Sequence, residues 1–411
     1  MSIEFQHSLP PRVESVPGDS KLTRHFASRI AAGPLERLRA LEEISADACI
    51  RVDALIPLAT RGLPRMRKKV LFAHTARAVK TSSGWSEQPE GESLRYTAMV
   101  ALGLSKLDET AQRQVLDGDT AADLARTAEA HAETTDDTGA IALAAWAAAE
   151  AGRFHASRLF RRLAALLASQ SSVHTVNCAW ALIAALAGRH FGETRDLATF
   201  AASRLLGGQS ESGLFPHMLP ASINGRLRAH IGCFADQVYP IQALSRLHSA
   251  QGHPVAIAAA EACAARICAL QGPAGQWWWH YDSRDGSVVE GYPVYSVHQH
   301  AMAPMALLDL REAGGSDHRL AIVRGLDWLD RHPEVLAPLI AYDKNVIWRK
   351  VARREPNKAV RAISAFTTAL KPGMRLPWLD AVFPPSRADY ECRPYELGWL
   401  LYAWLSEEGA R

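Results

Sequence analysis

Long apolar runs are missing from this sequence. No stretch approaches the roughly 20 residues that a membrane-spanning helix needs, so a helical membrane protein is not expected. An excess of one charge is missing too: 46 basic residues face 43 acidic ones, for a formal charge of +3. A dedicated nucleic-acid binder would show a basic surplus. There is no Cys-x-x-Cys. The six cysteines (Cys49, Cys178, Cys233, Cys263, Cys268 and Cys392) have no partner histidines at zinc-ligand spacing. No metal is expected, and with no nucleotide-binding loop no cofactor is expected either. The first thirty residues carry Pro10, Pro11 and Pro17 but no apolar core, unlike a signal peptide. Reduced cysteines within apolar helices then fit a cytoplasmic protein.

Strand-like alternation is scarce as well. What fills the chain is helical periodicity rich in Ala, Leu and Arg, broken by gaps of Gly, Ser, Pro and Asp. Residues 1–33 read as a polar arm, and residues 34–411 as a single domain. Six helices stand out as more apolar, near Leu94–Leu104, Asp136–Ala151, His174–Ala187, Cys233–Ser249, Tyr295–Ala313 and Arg393–Leu405. Amphipathic helices lie between them, near Ala111–Ala130, Phe154–Ser169, Thr194–Leu205, Pro254–Leu270 and His318–Arg331. Apolar helices alternating with amphipathic ones predict an all-α fold, an (α/α)6 toroid with inner and outer rings. A proline-rich segment at about 332–391 interrupts the pattern and reads as an insertion covering one end of the ring. The basic runs Arg61–Lys69 and Arg349–Arg361 read as solvated helix faces. The alternative for them is a docking patch for an anionic polymer or a phosphate-bearing substrate.

An internal repeat supports the ring. Gln209, Gly213, Phe215 and Gly252 recur 62 residues later as Gln271, Gly275, Trp277 and Gly314. Ser83-Gly84-Trp85 reads as a third, degenerate copy. The string Gln271-Gly272-Pro273-Ala274-Gly275-Gln276-Trp277 resembles the QW motif of terpenoid cyclases, whose α/α toroid is shared with protein prenyltransferase β-subunits. The resemblance covers about residues 70–330 and the last helix. It implies a toroid, and it is weaker for activity, because sugar-active toroids use similar joints.

If inner helices all run the same way, their polar first turns meet at one rim. Those turns carry Arg95 and Tyr96; Asp136 and Asp137; His174 and Asn177; Asp236, Gln237 and Tyr239; Tyr295, His298, Gln299 and His300; and Arg393, Tyr395 and Glu396. Taken singly, Asp136 and Asp137 are better read as helix caps than as catalysts. Convergence of such varied side chains is what capping does not require. Trp277, Trp278 and Trp279 cannot all face one core, so at least one reaches a cavity or the surface.

Three function classes follow. The first is a carbohydrate-active enzyme, a uronate lyase, epimerase or hydrolase acting on a small-molecule or oligosaccharide substrate, with polysaccharide production as a setting. Here His298 and His300 serve as acid/base groups, Tyr295 as partner and Asp236 as orienter. Trp278 and Tyr281 stack on the sugar, with His280, Gln237, Tyr239, Tyr96, His174, Gln299, Arg393 and Glu396 as binding residues. The second class follows from the resemblance: a protonating cyclase with Asp136 as general acid, in Thr134-Thr135-Asp136-Asp137-Thr138. The cyclases' first Asp is here a threonine, and the general acid would lack its tuning partner. The third is a non-catalytic ring that binds a polymer or protein.

Overall fold

The computed structural model describes residues 36–81 and 84–406. The expected arm at 1–33 and Ser83 lie outside them. Six inner helices follow one another along the chain: Leu94–Leu104, Thr138–Glu150, Thr175–Gly188, Ala235–Gln251, Ala303–Glu312 and Pro394–Leu405. Each packs against the next, and the sixth packs against the first, closing the ring. Six outer helices back them: Ala46–Gly62, Ala121–Ala132, Ser157–Ser169, Arg195–Gly208, Pro254–Ala269 and Arg319–Arg331. The protein is an (α/α)6 toroid.

Burial follows composition. The second inner helix is buried from Thr138 through Ala149, as an Ala-rich segment with only one polar end permits. The outer helix Ser157–Ser169 buries a stripe, Leu159, Phe160, Leu163 and Leu167, and leaves its arginines toward water. Side-chain caps fix several starts: Ser93 accepts from the Tyr96 amide, and Thr120 and Asp123 form a capping box.

The 62-residue repeat is a structural unit. Gln209 Nε2 donates to the carbonyls of Gly213 and Ala259 at 2.8 Å, and Gln271 Nε2 to those of Gly275 and Ala321 at 2.9 Å. Each glutamine thus stitches its own loop to the next outer helix. Gly213 and Gly275 turn that loop at φ of 84° and 95° and back onto the carbonyls of Ala262 and Arg324. Phe215 and Trp277 fill the joints and are fully buried.

Several expectations need correction. The expected outer helix Ala111–Ala130 is two helices, Glu109–Val115 and Ala121–Ala132, parted where Asp117 and Gly118 take positive φ. The stretch after Ser83 is no repeat joint, because Gly84–Glu90 is a strand paired antiparallel with Thr75–Thr81. Short strands are also more frequent than expected. Ile231–Cys233, His280–Asp282 and Val288–Glu290 form one small sheet, and Val294–Tyr295, Lys350–Ala352 and Arg387–Asp389 another.

The second sheet ties the insertion to the ring, through pairing of Lys350 with Tyr295 and Val351 with Val294. Within the insertion, helix Ala359–Leu370 packs against strand Val288–Glu290. The run Arg349–Arg361 is therefore not simply a solvated face. Arg353 is buried against Glu290 at 3.1 Å, and Arg349 lies between Glu391 and Glu396. In the other run, Arg61 reaches Asn345 and Arg67 pairs with Asp119.

Candidate active site

The first turns of the inner helices form a closed circuit of contacts. Tyr96 packs on Tyr395 at 4.6 Å between ring centres and receives a hydrogen bond from Arg393 at 2.6 Å. Arg95 makes a two-point ion pair with Asp137, and Gly139 of that same helix start abuts Asn177 and Arg95. One residue before the third inner helix, the ring of His174 meets that of His217 at 4.8 Å. His217 Nδ1 lies 2.9 Å from Asp236 Oδ2. Phe234 and His298 are 4.3 Å apart, joining the fourth hairpin to the fifth. Arg349 closes the circuit, 4.8 Å above the Tyr295 ring and 3.4 Å from Glu396. The rim predicted from sequence thus exists, and Asp137, His174, Asp236, Tyr295, His298, Arg393 and Glu396 all belong to it. Beside His174 a groove of about 490 Å³ opens between Thr138, Asn177, Met218 and the loop Ser169–Ser172.

The most chemically developed point is His217 with Asp236. The Asp236 side chain is 0% exposed, while that of His217 is 41% exposed. Asp236 Oδ2 also accepts from the Cys233 amide at 2.7 Å, which fixes the carboxylate on the start of its helix. Its hydrogen bond raises the His217 pKa above the ordinary value, against the opposing effect of burial. Burial, with help from the His217 charge, lowers that of His174. Two touching imidazoles are thus pushed in opposite directions, the condition for an acid and a base side by side. Donor atoms of His217, Cys233 and Asp236 lie within 4.8 Å of one another, close enough to consider a metal. Burial beside the Asp236 carboxylate, however, pushes the Cys233 thiol up, away from the thiolate that binds metals. The set fits proton transfer better.

On the neighbouring hairpin stand Tyr295, His298 and Trp279. Tyr295 and His298 rings are 5.0 Å apart, and Trp279 lies parallel to His298 within 10°, at 6.0 Å. Arg361 sits 5.7 Å from the Trp279 ring centre. Burial drives His298 down to about 3, so its ring is neutral at ordinary pH. Glu396 goes the other way, pushed up to about 7 by burial despite Arg349. Three buried polar atoms here have no hydrogen-bond partner among the described residues, Trp279 Nε1, His298 Nδ1 and Arg361 Nε, while Arg349 Nε and Glu396 Oε1 face each other at 3.4 Å. Buried polar atoms are normally satisfied, so such a concentration marks a place where a ligand or solvent completes the bonding.

Other candidates lie elsewhere or do structural work. Asp136 is 100% exposed and pairs with Arg162 at 3.3 Å, so the dry pocket a protonating acid needs is absent. Asp137 caps its helix through the Gly139 and Ala140 amides. His300 is fully buried in the wall at a pKa of about 3, out of reach of the mouth. Trp278 turns away from the rim onto Gly272, Gly291 and Tyr292, and Trp279 takes the place expected of it. Tyr281 is fully buried and offers no stacking face, and His280 is nearly so. Gln237 and Gln299 bond the loop amides of Phe215 and Trp277 and are joint braces, not binding residues. Tyr239 lies below, accepting from Trp399 at 2.8 Å.

Site residues absent from the sequence-derived candidates are His217, Trp279, Arg349 and Arg361. The signal for His217 was available: it stands 62 residues before Trp279, as Asp236 stands 62 before His298. Extending the repeat by two residues past Phe215 would have found it. Arg349 and Arg361 are visible in the sequence only as the ends of a basic run whose alternative reading is an anionic docking patch, and strand pairing is what brings Arg349 over Tyr295.

No family model matches this chain, and no curated protein does. Solved structures do resemble it. An unsaturated glucuronyl hydrolase specific for heparin superposes with a TM-score of 0.53 at 13% identity, covering 86% of this chain and 95% of that one. The unsaturated glucuronyl hydrolase of Bacillus sp. GL1, responsible for degradation of glycosaminoglycan, gives 0.52 at 11%, covering 87% and 99%. A variant of the Streptococcus agalactiae unsaturated glucuronyl hydrolase gives 0.51 at 12%, covering 98% and 97%. The expected kinship with terpenoid cyclases and prenyltransferases is thereby overturned: the Gln-x-x-x-Gly-x-aromatic joint braces a toroid in this chain without marking that family. What this chain shares with these structures is the fold, an (α/α)6 toroid.

Proposed function

We propose that the rim is the active site of a saccharide-processing enzyme, and that the reaction is hydrolysis next to a uronic-acid residue. One observation carries this: a half-exposed imidazole, His217, held by a wholly buried carboxylate, Asp236, against a second imidazole of opposite pKa tendency. In this reading His217, protonated, gives its proton to the departing glycosidic oxygen. His174, neutral, takes a proton from the attacking water, and the products together gain one water. Trp279 supplies the ring for a sugar face, and the Arg361 Nε–H, together with the Arg349 guanidinium, receives a carboxylate. Support also comes from the fold, since its solved neighbours include hydrolases of unsaturated glucuronyl groups.

The test is a screen of oligosaccharides ending in saturated and unsaturated uronates, reading new reducing ends. His217→Gln and His174→Gln should each lower turnover by roughly 10²- to 10⁴-fold without changing the melting temperature greatly. Full activity in His217→Gln would reject the assignment. Products carrying a newly formed ring double bond would replace hydrolysis by elimination.

A further inference from the structure

The insertion shows water a surface that its own helix does not explain. In helix Ala359–Leu370, Phe366 and Leu370 are one turn apart, and both are more than half exposed. Met374 follows in the connecting loop, and the short helix Trp378–Val382 exposes both its terminal residues, Trp378 and Val382. The inward sides of these helices are accounted for. Ala365 packs with Ile231 and Val289, Thr368 bonds His230 at 2.9 Å, and Leu379 is buried. The loop leading into His230 adds Ile223 and Leu227, again more than half exposed. The Thr368–His230 bond and the Ala365–Ile231 contact set these segments side by side, and exposed apolar side chains on neighbouring segments, rather than scattered singly, mark a contact surface.

Charge says what kind of contact. Between residues 358 and 382 lie Lys358, Arg361, Lys371 and Arg375 against a single acid, Asp380, and Asp380 is held by Arg353 at 2.9 Å. Arg226 and Arg228 flank Leu227. Lys371, Arg375, Arg226 and Arg228 are exposed and have no ion pair among the described residues. Leu, Phe and Trp interleaved with free Lys and Arg form the composition of a surface that sinks its apolar side chains between lipid headgroups while its cations meet anionic ones. A protein partner would ordinarily meet a face depleted of lysine, and this face is not.

We infer that this flank docks on an anionic lipid surface. It would hold the mouth at the bilayer, because Arg361 of the same helix reaches Trp279 and the underlying strand Ile231–Cys233 leads directly to Asp236. A saccharide carried on a lipid or displayed at a membrane could then enter the rim without leaving that surface. The inference is independent of the reaction proposed above.

The experiment is flotation of the full chain with phosphatidylcholine vesicles containing one-third phosphatidylglycerol, against phosphatidylcholine alone. Wild type should float with the anionic vesicles and lose most binding at high salt. Lys371→Glu/Arg375→Glu and Leu370→Ser/Trp378→Ser should each weaken partitioning roughly 10- to 30-fold while leaving turnover of any soluble saccharide unchanged. Failure of wild type to float, or equal floating by both variants, overturns the inference. So does a wild-type dimer in sedimentation that Leu370→Ser/Trp378→Ser dissolves while vesicles stay unbound, since the face would then join two copies of the chain. Turnover of the soluble saccharide, read in the same samples, reports separately on the hydrolase reading.

Discussion

His217 and His298 carry the same side chain and are made into different groups by what touches them. Asp236 raises the pKa of the first, and a cage of Phe234, Trp279 and Tyr295 lowers that of the second to about 3. Asp236→Asn should move the limb of the pH–rate profile that reports His217 to lower pH and lower turnover at least tenfold. An unmoved limb would show that another group sets it. Stability follows by linkage. A raised folded pKa adds stability below the unfolded value of about 6.5, lost as pH rises through the folded value, so Asp236→Asn costs more at pH 5 than at pH 9. His298 and His300 act in the opposite sense. Their depressed values add stability above about 6.5, lost as pH falls toward about 3. His300→Leu should therefore flatten the decline of urea stability between pH 7 and pH 4. At this scale the sequence brought some residues to the rim, such as His174, Asp236 and His298, and misplaced others, such as Asp136 and Tyr281, because burial decides place and role and a sequence shows burial only as an average along a helix.

Between residues and the ring stands the joint. Gln271→Ala removes two hydrogen bonds from buried carbonyls and should lower stability by about 1–3 kcal/mol in chemical denaturation. Gln209→Ala should do the same, and the two losses should add, since they brace different joints. The fifth inner helix has another device. It opens with a π-helical turn, His298–Met302, and Pro304 has no amide to offer the His300 carbonyl. Trp404 fills the gap, donating its indole N–H to that carbonyl at 2.7 Å. Inner helices were legible to within two or three residues because long apolar segments with polar first turns carry strong periodicity. Strands of two and three residues carry none. Val294–Tyr295 and Lys350–Ala352, which bring Arg349 to the site, could not be read in advance.

Among the described residues, the inner helices carry the proposed site at one end and a network of ion pairs at the other. At the far end of the inner helices Arg246 meets Glu150 and Asp309, Lys106 meets Glu150, and Arg37 of the first described helix meets Asp309 and Glu312. Arg37 is buried, so Arg37→Leu leaves two acids short of a partner and should cost on the order of 3 kcal/mol. A thermal melt unchanged by that substitution would show that the network is dispensable. The ring as a whole was the most legible feature of the sequence, since an alternation of helix types and a 62-residue period both require neighbours to stack. The insertion was the least legible, because its basic run mixes buried ion pairs with free cations and nothing in the order of residues separates them.

The seam between the first and sixth inner helices has a further consequence. Gly103 packs on the backbone of Gly398 with no room for a methyl group, and Gly398 in turn sits tightly on the backbone of Met99 and Val100. These two positions are nearly three hundred residues apart, so five hairpins can emerge from the ribosome while the circle still gapes, with greasy flanks on either side. The glycine pair is then a latch that snaps only when the last partner arrives. Gly103→Val should leave a chain rich in helix that is nonetheless open, readily cut by proteases and prone to clump.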